Sequence, residues 1–515
     1  MFQKKYLFMY FVAFVASLGG FQFGYEVGIL ESIKNFLNFK TDFPLLYDKR
    51  LELNADNNEY TFIYEENKLK NAFLLSVFCI GCVIGTLIVP LVCDFFGRKR
   101  TILFGAAIFG FGSLFAGIIS DLWLFYITRI IMGIGIGLLS TICPVYIAET
   151  AQTEKRGQLI TLYQLMITVG ILLAYVTKSF LNWILSTDSH VQWRVVLGNQ
   201  VIPGFFLLIM MFFLPCSPRY YIWQERDDDA LRIVSKLRGI STTRDPEIQS
   251  EFQSMKRSLE IEKHKYSISW SEFLSRPMLK RVLIVMGLQA LQQFTGINFI
   301  LNNHQNIFDE IFFGNNSNKD SIENLPLILG FVNVIINVIG TLPTFFLIEK
   351  WGRKILLMVG SVGMALTLGI SSVADYINNN NNNSNIIYSY VSACGIILFI
   401  LFFACSWGPV VWVYQSEVFP MRVRSKAVAF CSLANWSCFA LIATVYPLIE
   451  KSSVNNENQK NKNRGLEAFH VNFIFACCCL FSLLYVLIFV KETKGVVLED
   501  MDSVFESSKE KSKQK

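Results

Sequence analysis

Charge is what this chain has least of. Only 17% of its 515 residues are Asp, Glu, Lys or Arg, histidine occurs four times, and the basic and acidic residues nearly cancel at 46 against 40. A polar complement this thin excludes a disordered chain and offers no extended basic face to nucleic acid. The twelve cysteines have neither metal-ligand spacing nor a loop framework of disulfides. Several, such as Cys79, Cys82 and Cys477 to Cys479, lie in apolar runs, where small packing residues are expected. No nucleophile and base stand at catalytic spacing, and there is no phosphate loop. Gly133, Gly135 and Gly137 follow no strand and read as helix-packing glycines. The expectation is a protein that is not an enzyme and needs neither cofactor nor metal.

What remains is hydrophobic: 53% of the residues, with a mean hydropathy of +0.41, which places the chain among membrane proteins. Runs of about 20 apolar residues, long enough to span, lie at roughly 6–30, 69–93, 101–120, 124–148, 158–180, 193–214, 279–308, 325–349, 354–375, 387–416, 422–450 and 467–490. Twelve spans put both termini on one side. The links carrying Arg98 to Arg100, Lys155 and Arg156, Arg353 and Lys354, and Arg422 and Arg424 alternate with links poor in basic residues, so they are cytoplasmic. The polar insert Lys451 to Arg464 fits that rule poorly and is assigned outside, because moving it misplaces four better signals. The first run has no cleavage pattern and reads as a retained helix.

The most demanding stretch lies in the seventh run. Gln289, Gln292, Gln293 and Gly296 fall at i, i+3, i+4 and i+7, one stripe of a helix. Thr295 and Gly296 weaken that helix, and Asn298, Asn302 and Asn303 follow. Uncharged amides at membrane depth need partners, either on neighbouring helices or around a cavity that takes a polar solute. Six of them around a glycine break favour the cavity, because broken helices at the midplane are where transporters bind substrate.

Span one carries Glu26, and span four opens on Arg129. An ionised carboxylate near a helix centre costs on the order of 3 kcal/mol, so Glu26 needs a partner, a proton or water. Arg129 is the candidate partner; the alternative places the two at opposite interfaces.

Asp94 with Gly97, Arg98 and Lys99 after span two recurs as Glu349 with Gly352, Arg353 and Lys354 after span eight. An internal repeat of this kind implies two parallel six-span halves. At these residues the chain resembles the major facilitator superfamily, and further motifs narrow the resemblance to its sugar porter family. Pro215, Ser217, Pro218 and Arg219 follow span six, with Cys216 where the family has Glu. Glu492, Thr493, Lys494 and Gly495 follow span twelve, with Lys491 where it has Pro. Gln292 to Asn298, Pro144 to Glu149, and Gly408 to Glu417 complete the set. The resemblance implies an all-α membrane protein with twelve transmembrane helices in two pseudo-symmetric bundles. Residues 1–214 form the first bundle, 215–278 an intracellular helical linker, 279–490 the second bundle and 491–515 a cytoplasmic tail.

A sugar needs neutral hydrogen-bonding groups and an aromatic surface, and amides supply donor and acceptor without a charge to desolvate. The resemblance carries substrate contacts over to Phe23, Gln164, Gln292, Gln293, Asn298, Asn337, Trp412 and Asn435. It implies a cytoplasmic gate of Arg98, Glu149 and Arg156 in one half and Arg353, Glu417 and Arg424 in the other. Where the family commonly has a Tyr pair closing the outer gate, this chain has Asn302 and Asn303. Proton-coupled members carry Asp at the position of Glu26, paired with the match of Arg129, whereas facilitators are neutral there. Glu is acidic but one methylene longer, so symport is favoured over a uniporter with a structural ion pair. The expected activity is alternating-access transport of a hexose across the plasma membrane by a monomer in the lipid bilayer. Polyol or inositol transport is the runner-up. A non-signalling tail of roughly 25 residues after Val490 weighs against a sugar sensor on the same fold. The run Asn378 to Asn383 reads as solvated low-complexity sequence, and Asn315 and Asn382 open glycosylation-type sequons.

Overall fold

The computed structural model describes residues 6–34, 36–54, 59–66, 68–184, 191–265, 273–313, 325–380, 386–421, 423–454, 468–498 and 501–505. Arg422, most of the insert at 455–467 and both exterior sequons lie outside these residues. Eleven of the described helices are long and apolar enough to cross a membrane, and the pair Leu325–Thr341 and Thr344–Trp351, bent by 42°, completes a twelfth span. Large apolar side chains cover the outer surface, Trp183, Phe346 and Phe95 being at least 74% exposed, as a surface wetted by lipid requires.

Polar faces are turned inward, and glycines set how closely the spans approach. A methyl group on Gly24 of span one would fall 1.9 Å from the Ile167 carbonyl oxygen of span five. Gly133 and Gly137 of span four meet the Phe78 and Cys82 carbonyls of span two in the same way, each at 2.3 Å, while Gly135 faces span three. Small residues that admit backbone contact hold membrane helices together where no hydrophobic force acts between them. The two halves meet where span two packs along span eleven. Ser76 and Thr444 join them at 2.6 Å, and the Trp436 indole donates to the Ser140 hydroxyl at 3.1 Å.

Interruptions concentrate in the second half. Span seven breaks between Arg276–Phe294 and Ile297–Phe313, and span ten between Ile386–Cys405 and Trp407–Glu417. In the first half, span six is divided into Gln192–Gly198 and Val201–Phe213. One departure from the helical pattern is an antiparallel hairpin of Tyr47–Asn54 and Glu59–Glu66 in the exterior link after span one. It leaves the twelve-helix class intact.

The linker between the halves forms Pro218–Trp223, Asp227–Arg238 and Pro246–Lys265. The middle helix opens on Asp227, Asp228 and Asp229 and closes on Lys236 and Arg238, charges that complement its dipole. Ile222, Ala230, Val234, Ile248, Phe252, Met255 and Leu259 make a small core that also takes in Met421 from the second half.

Candidate binding site and buried charges

Gly296 sets the break in span seven. Its φ of +86° is a left-handed conformation, and a methyl group there would lie 2.5 Å from the Phe475 ring, so only glycine fits. The break brings amides from both sides of it together with span eleven. The Gln293 amide donates to Asn435 Oδ1 at 3.0 Å, and Asn298 donates to Gln293 Oε1 at 2.7 Å. Asn435 Nδ2 in turn reaches Gln289 Oε1 at 2.7 Å and Gln292 Oε1 at 2.8 Å. Gln292 Nε2 donates to the Trp407 and Gly408 carbonyls, where span ten restarts. Gln289 is tied further to Gln415 of span ten at 2.5 Å. Gln289 therefore joins spans seven, ten and eleven, the glue role that membrane amides also fill.

Around this network stand the other residues singled out in the sequence. Gln164 of span five reaches across to span ten, where a methyl group on Gly408 would come within 3.1 Å of its Nε2. The Trp412 ring packs against Tyr163 at 6.0 Å, and Phe23 against Trp436 at 4.8 Å. Asn337 of span eight is buried, and its Oδ1 lacks a hydrogen-bond partner among the described residues. Asn303, at one of the gate-tyrosine positions, donates to the Phe299 carbonyl of its own helix at 3.0 Å.

Glu26 and Arg129 are paired in the interior of the first half, both side chains wholly inaccessible. The pair is underfilled: among the described residues Arg129 Nε and Nη2 have no hydrogen-bond partner. The Arg129 guanidinium lies over the Phe78 ring at 5.0 Å, which adds a cation–π contact. Buried Gln200, in the break of span six, turns its side-chain amide toward Glu26.

At the cytoplasmic ends the two halves repeat one arrangement. Arg98 donates to Glu149 at 3.0 Å, and Ser217 donates to the other oxygen of Glu149 at 2.5 Å. Arg353 donates to Glu417 at 2.7 Å, and Thr493 to the other oxygen of Glu417 at 3.0 Å. The hydroxyls of the signatures after spans six and twelve thus do the same work in each half, a pairing that spacing alone does not reveal. Arg424 differs from the grouping expected by halves. It pairs with Glu149 of the first half at 3.1 Å, because its helix starts where Met421 meets Arg98. Arg156 likewise crosses, donating to the Val496 carbonyl at 3.4 Å. The Gly157 amide donates to Glu349 at 2.8 Å, and Ser425 to Asp94 at 2.6 Å, so the cytoplasmic side is sealed across the halves. The tail contributes too. Its short helix Met501–Phe505 docks under span seven through Arg281, which binds Asp502 at 2.7 Å and lies over the Phe505 ring at 4.5 Å.

Two six-span halves, a polar network at broken helices and a seal on one side define a membrane transporter fold. Residues 12–505 match the sugar (and other) transporter family, and the chain belongs to that family. The hexose transporter HXT9 of Saccharomyces cerevisiae is 31% identical over 498 residues, 95% of this chain and 81% of that protein. The high glucose sensor RGT2 of the same yeast is 32% identical over 506 residues, 96% of this chain and 60% of that protein. The proton:xylose symporter XylE, solved with 6-bromo-6-deoxy-D-glucose, superimposes with a TM-score of 0.79 at 26% identity, covering 98% of this chain and 100% of that one. The chain is thus a multi-pass membrane protein of a family of sugar transporters.

Proposed function

We propose that this protein carries a hexose across the plasma membrane together with a proton. The observation that carries the substrate reading is the meeting of neutral amides from spans seven and eleven at the Gly296 break, with Gln164, Asn337 and Trp412 around them. Each amide exchanges a bond to its neighbour for a bond to a sugar hydroxyl, so binding leaves no group unsatisfied. No charge is desolvated in the exchange. The similarity to the hexose transporter supports a six-carbon substrate.

Alternating access follows from contacts present in only one state. Arg424 to Glu149, Gly157 to Glu349 and Ser425 to Asp94 bridge the halves on the cytoplasmic side. They hold the carrier closed to the cytoplasm and must break for release. Coupling enters at Glu26. A carboxylate beside an arginine favours the anion, whereas the same group desolvated with the arginine withdrawn favours the acid. The two guanidinium nitrogens of Arg129 left without a partner among the described residues leave room for the pair to rearrange, and the resemblance to a proton:xylose symporter supports that reading.

The similarity to a glucose sensor favours one alternative, a receptor that binds without flux. Uptake of labelled glucose in a cell lacking its own hexose carriers tells them apart. Saturable uptake above the vector control supports transport; binding without uptake supports the sensor.

A further inference from the structure

Span eight holds a second buried amide that no function above uses. Asn333 lies one turn to the exterior of Asn337 and is wholly inaccessible, yet among the described residues neither its Oδ1 nor its Nδ2 has a hydrogen-bond partner. Asn337 Oδ1 is unpartnered beside it. The amides of spans seven and eleven contrast with this, since they satisfy one another. A buried polar group without a partner is destabilising in itself, and its persistence at membrane depth points to a partner that comes and goes.

The direction of Asn333 follows from its helix. Phe331 meets Tyr175 of span five, ring to ring at 5.6 Å, and a methyl group on Gly340 would meet Ala404 and Leu401 of span ten at 3.0 Å. At about 100° per residue, Asn333 and Asn337 fall on the arc between those two contacts. Asn333 lies about 20° from the Gly340 side, toward span ten, and Asn337 about 60° from it; the opposite arc carries Ile328, Ile335 and Ile339, all exposed on the outer surface. Four residues rise about 6 Å along the axis, short enough for one hexose to touch both amides. On span seven half-buried Asn302 stands one turn beyond Asn298 in the same sense, so each of two adjoining spans carries a second amide one turn outward.

We propose that Asn333 is a further substrate-contacting residue, binding a hydroxyl at the exterior-facing end of the sugar and helping to set which sugars are accepted. The proposal rests on the hexose-transport reading above.

The test is uptake by the full-length protein of glucose and of a panel of monodeoxyglucoses, in the parent, Asn333→Leu and Asn333→Ser, each normalised to surface expression. Asn333→Leu raises the KM for glucose about tenfold, the loss of one hydrogen bond to a buried group, with little change in maximal rate. It also abolishes the penalty the parent shows against one particular deoxyglucose, which a purely structural amide does not do. Should Asn333→Leu fail to reach the membrane, Asn333→Ser carries the test, since its shorter side chain loses the same contact. A KM and a deoxy-sugar profile equal to the parent's in the variant that reaches the membrane overturn the proposal. A parent that moves no hexose refutes the transport reading instead, and Asn333 is then judged by the same panel as competitors in a binding assay.

Discussion

At the scale of single residues, the two charges inside the first half and the amides inside the second answer different questions. Glu26 and Arg129 are paired and inaccessible, and charges held at membrane depth are costly and tend to mark functional sites. Glu26→Gln keeps the shape and removes the titration. Uphill sugar accumulation under an inward proton gradient should be lost while sugar exchange without a gradient survives. If Glu26→Gln accumulates sugar as the parent does, the pair is structural. Gln292 is expected to act on affinity. Gln292→Ala removes a group bonded to Asn435 and to the start of span ten, and should weaken sugar binding by roughly 1–3 kcal/mol. An unchanged KM in that variant would place the site elsewhere.

Elements explain why much of this was legible beforehand. Twelve apolar runs separated by alternating basic links became twelve spans, because hydrocarbon thickness and the fate of Lys and Arg impose those patterns directly. The break at Thr295 and Gly296 was readable because glycine is a weak helix former, and the structure shows why it is needed: Phe475 occupies the space of a side chain. Gly296→Ala should therefore both strain the left-handed backbone and displace that ring. It should lower the thermal midpoint of the detergent-purified protein; an unaltered midpoint with normal yield would contradict this account of the break. Less visible was the hairpin of Tyr47–Asn54 and Glu59–Glu66, which lies between spans where no lipid enforces a pattern. Asn333 gives a weaker signal, its place one turn from Asn337 in an apolar run. Two partnerships were illegible for a different reason. Arg424 with Glu149, and Thr493 with Glu417, join residues far apart in sequence, and which half an arginine chooses depends on how the bundles meet.

At the scale of the whole molecule, the cytoplasmic seal joins charge pairs within each half, Arg98 with Glu149 and Arg353 with Glu417, through bonds between halves, Arg424 to Glu149 and Arg98 to Met421 among them. Each exposed ion pair in such a set contributes about 1 kcal/mol at most, but Arg98, Glu149, Arg353, Glu417 and Arg424 are nearly inaccessible, and removing one partner leaves a buried charge unpaired. Only contacts that differ between states shift their populations. Arg424→Ala or Arg98→Ala should accordingly favour the inward-facing state, seen as slower labelling of a cysteine introduced on the exterior face of the binding site. Labelling at the parental rate would remove these residues from the gate.

The central claim, that sugar and proton move together through this fold, is tested most directly by the purified protein in proteoliposomes. Sugar is added outside without an imposed gradient while the luminal pH is followed. The account predicts that glucose entry acidifies the lumen and that an inward proton gradient drives glucose above its external concentration. Entry that leaves luminal pH unchanged and never exceeds equilibration, with or without the gradient, would contradict it and make the protein a uniporter.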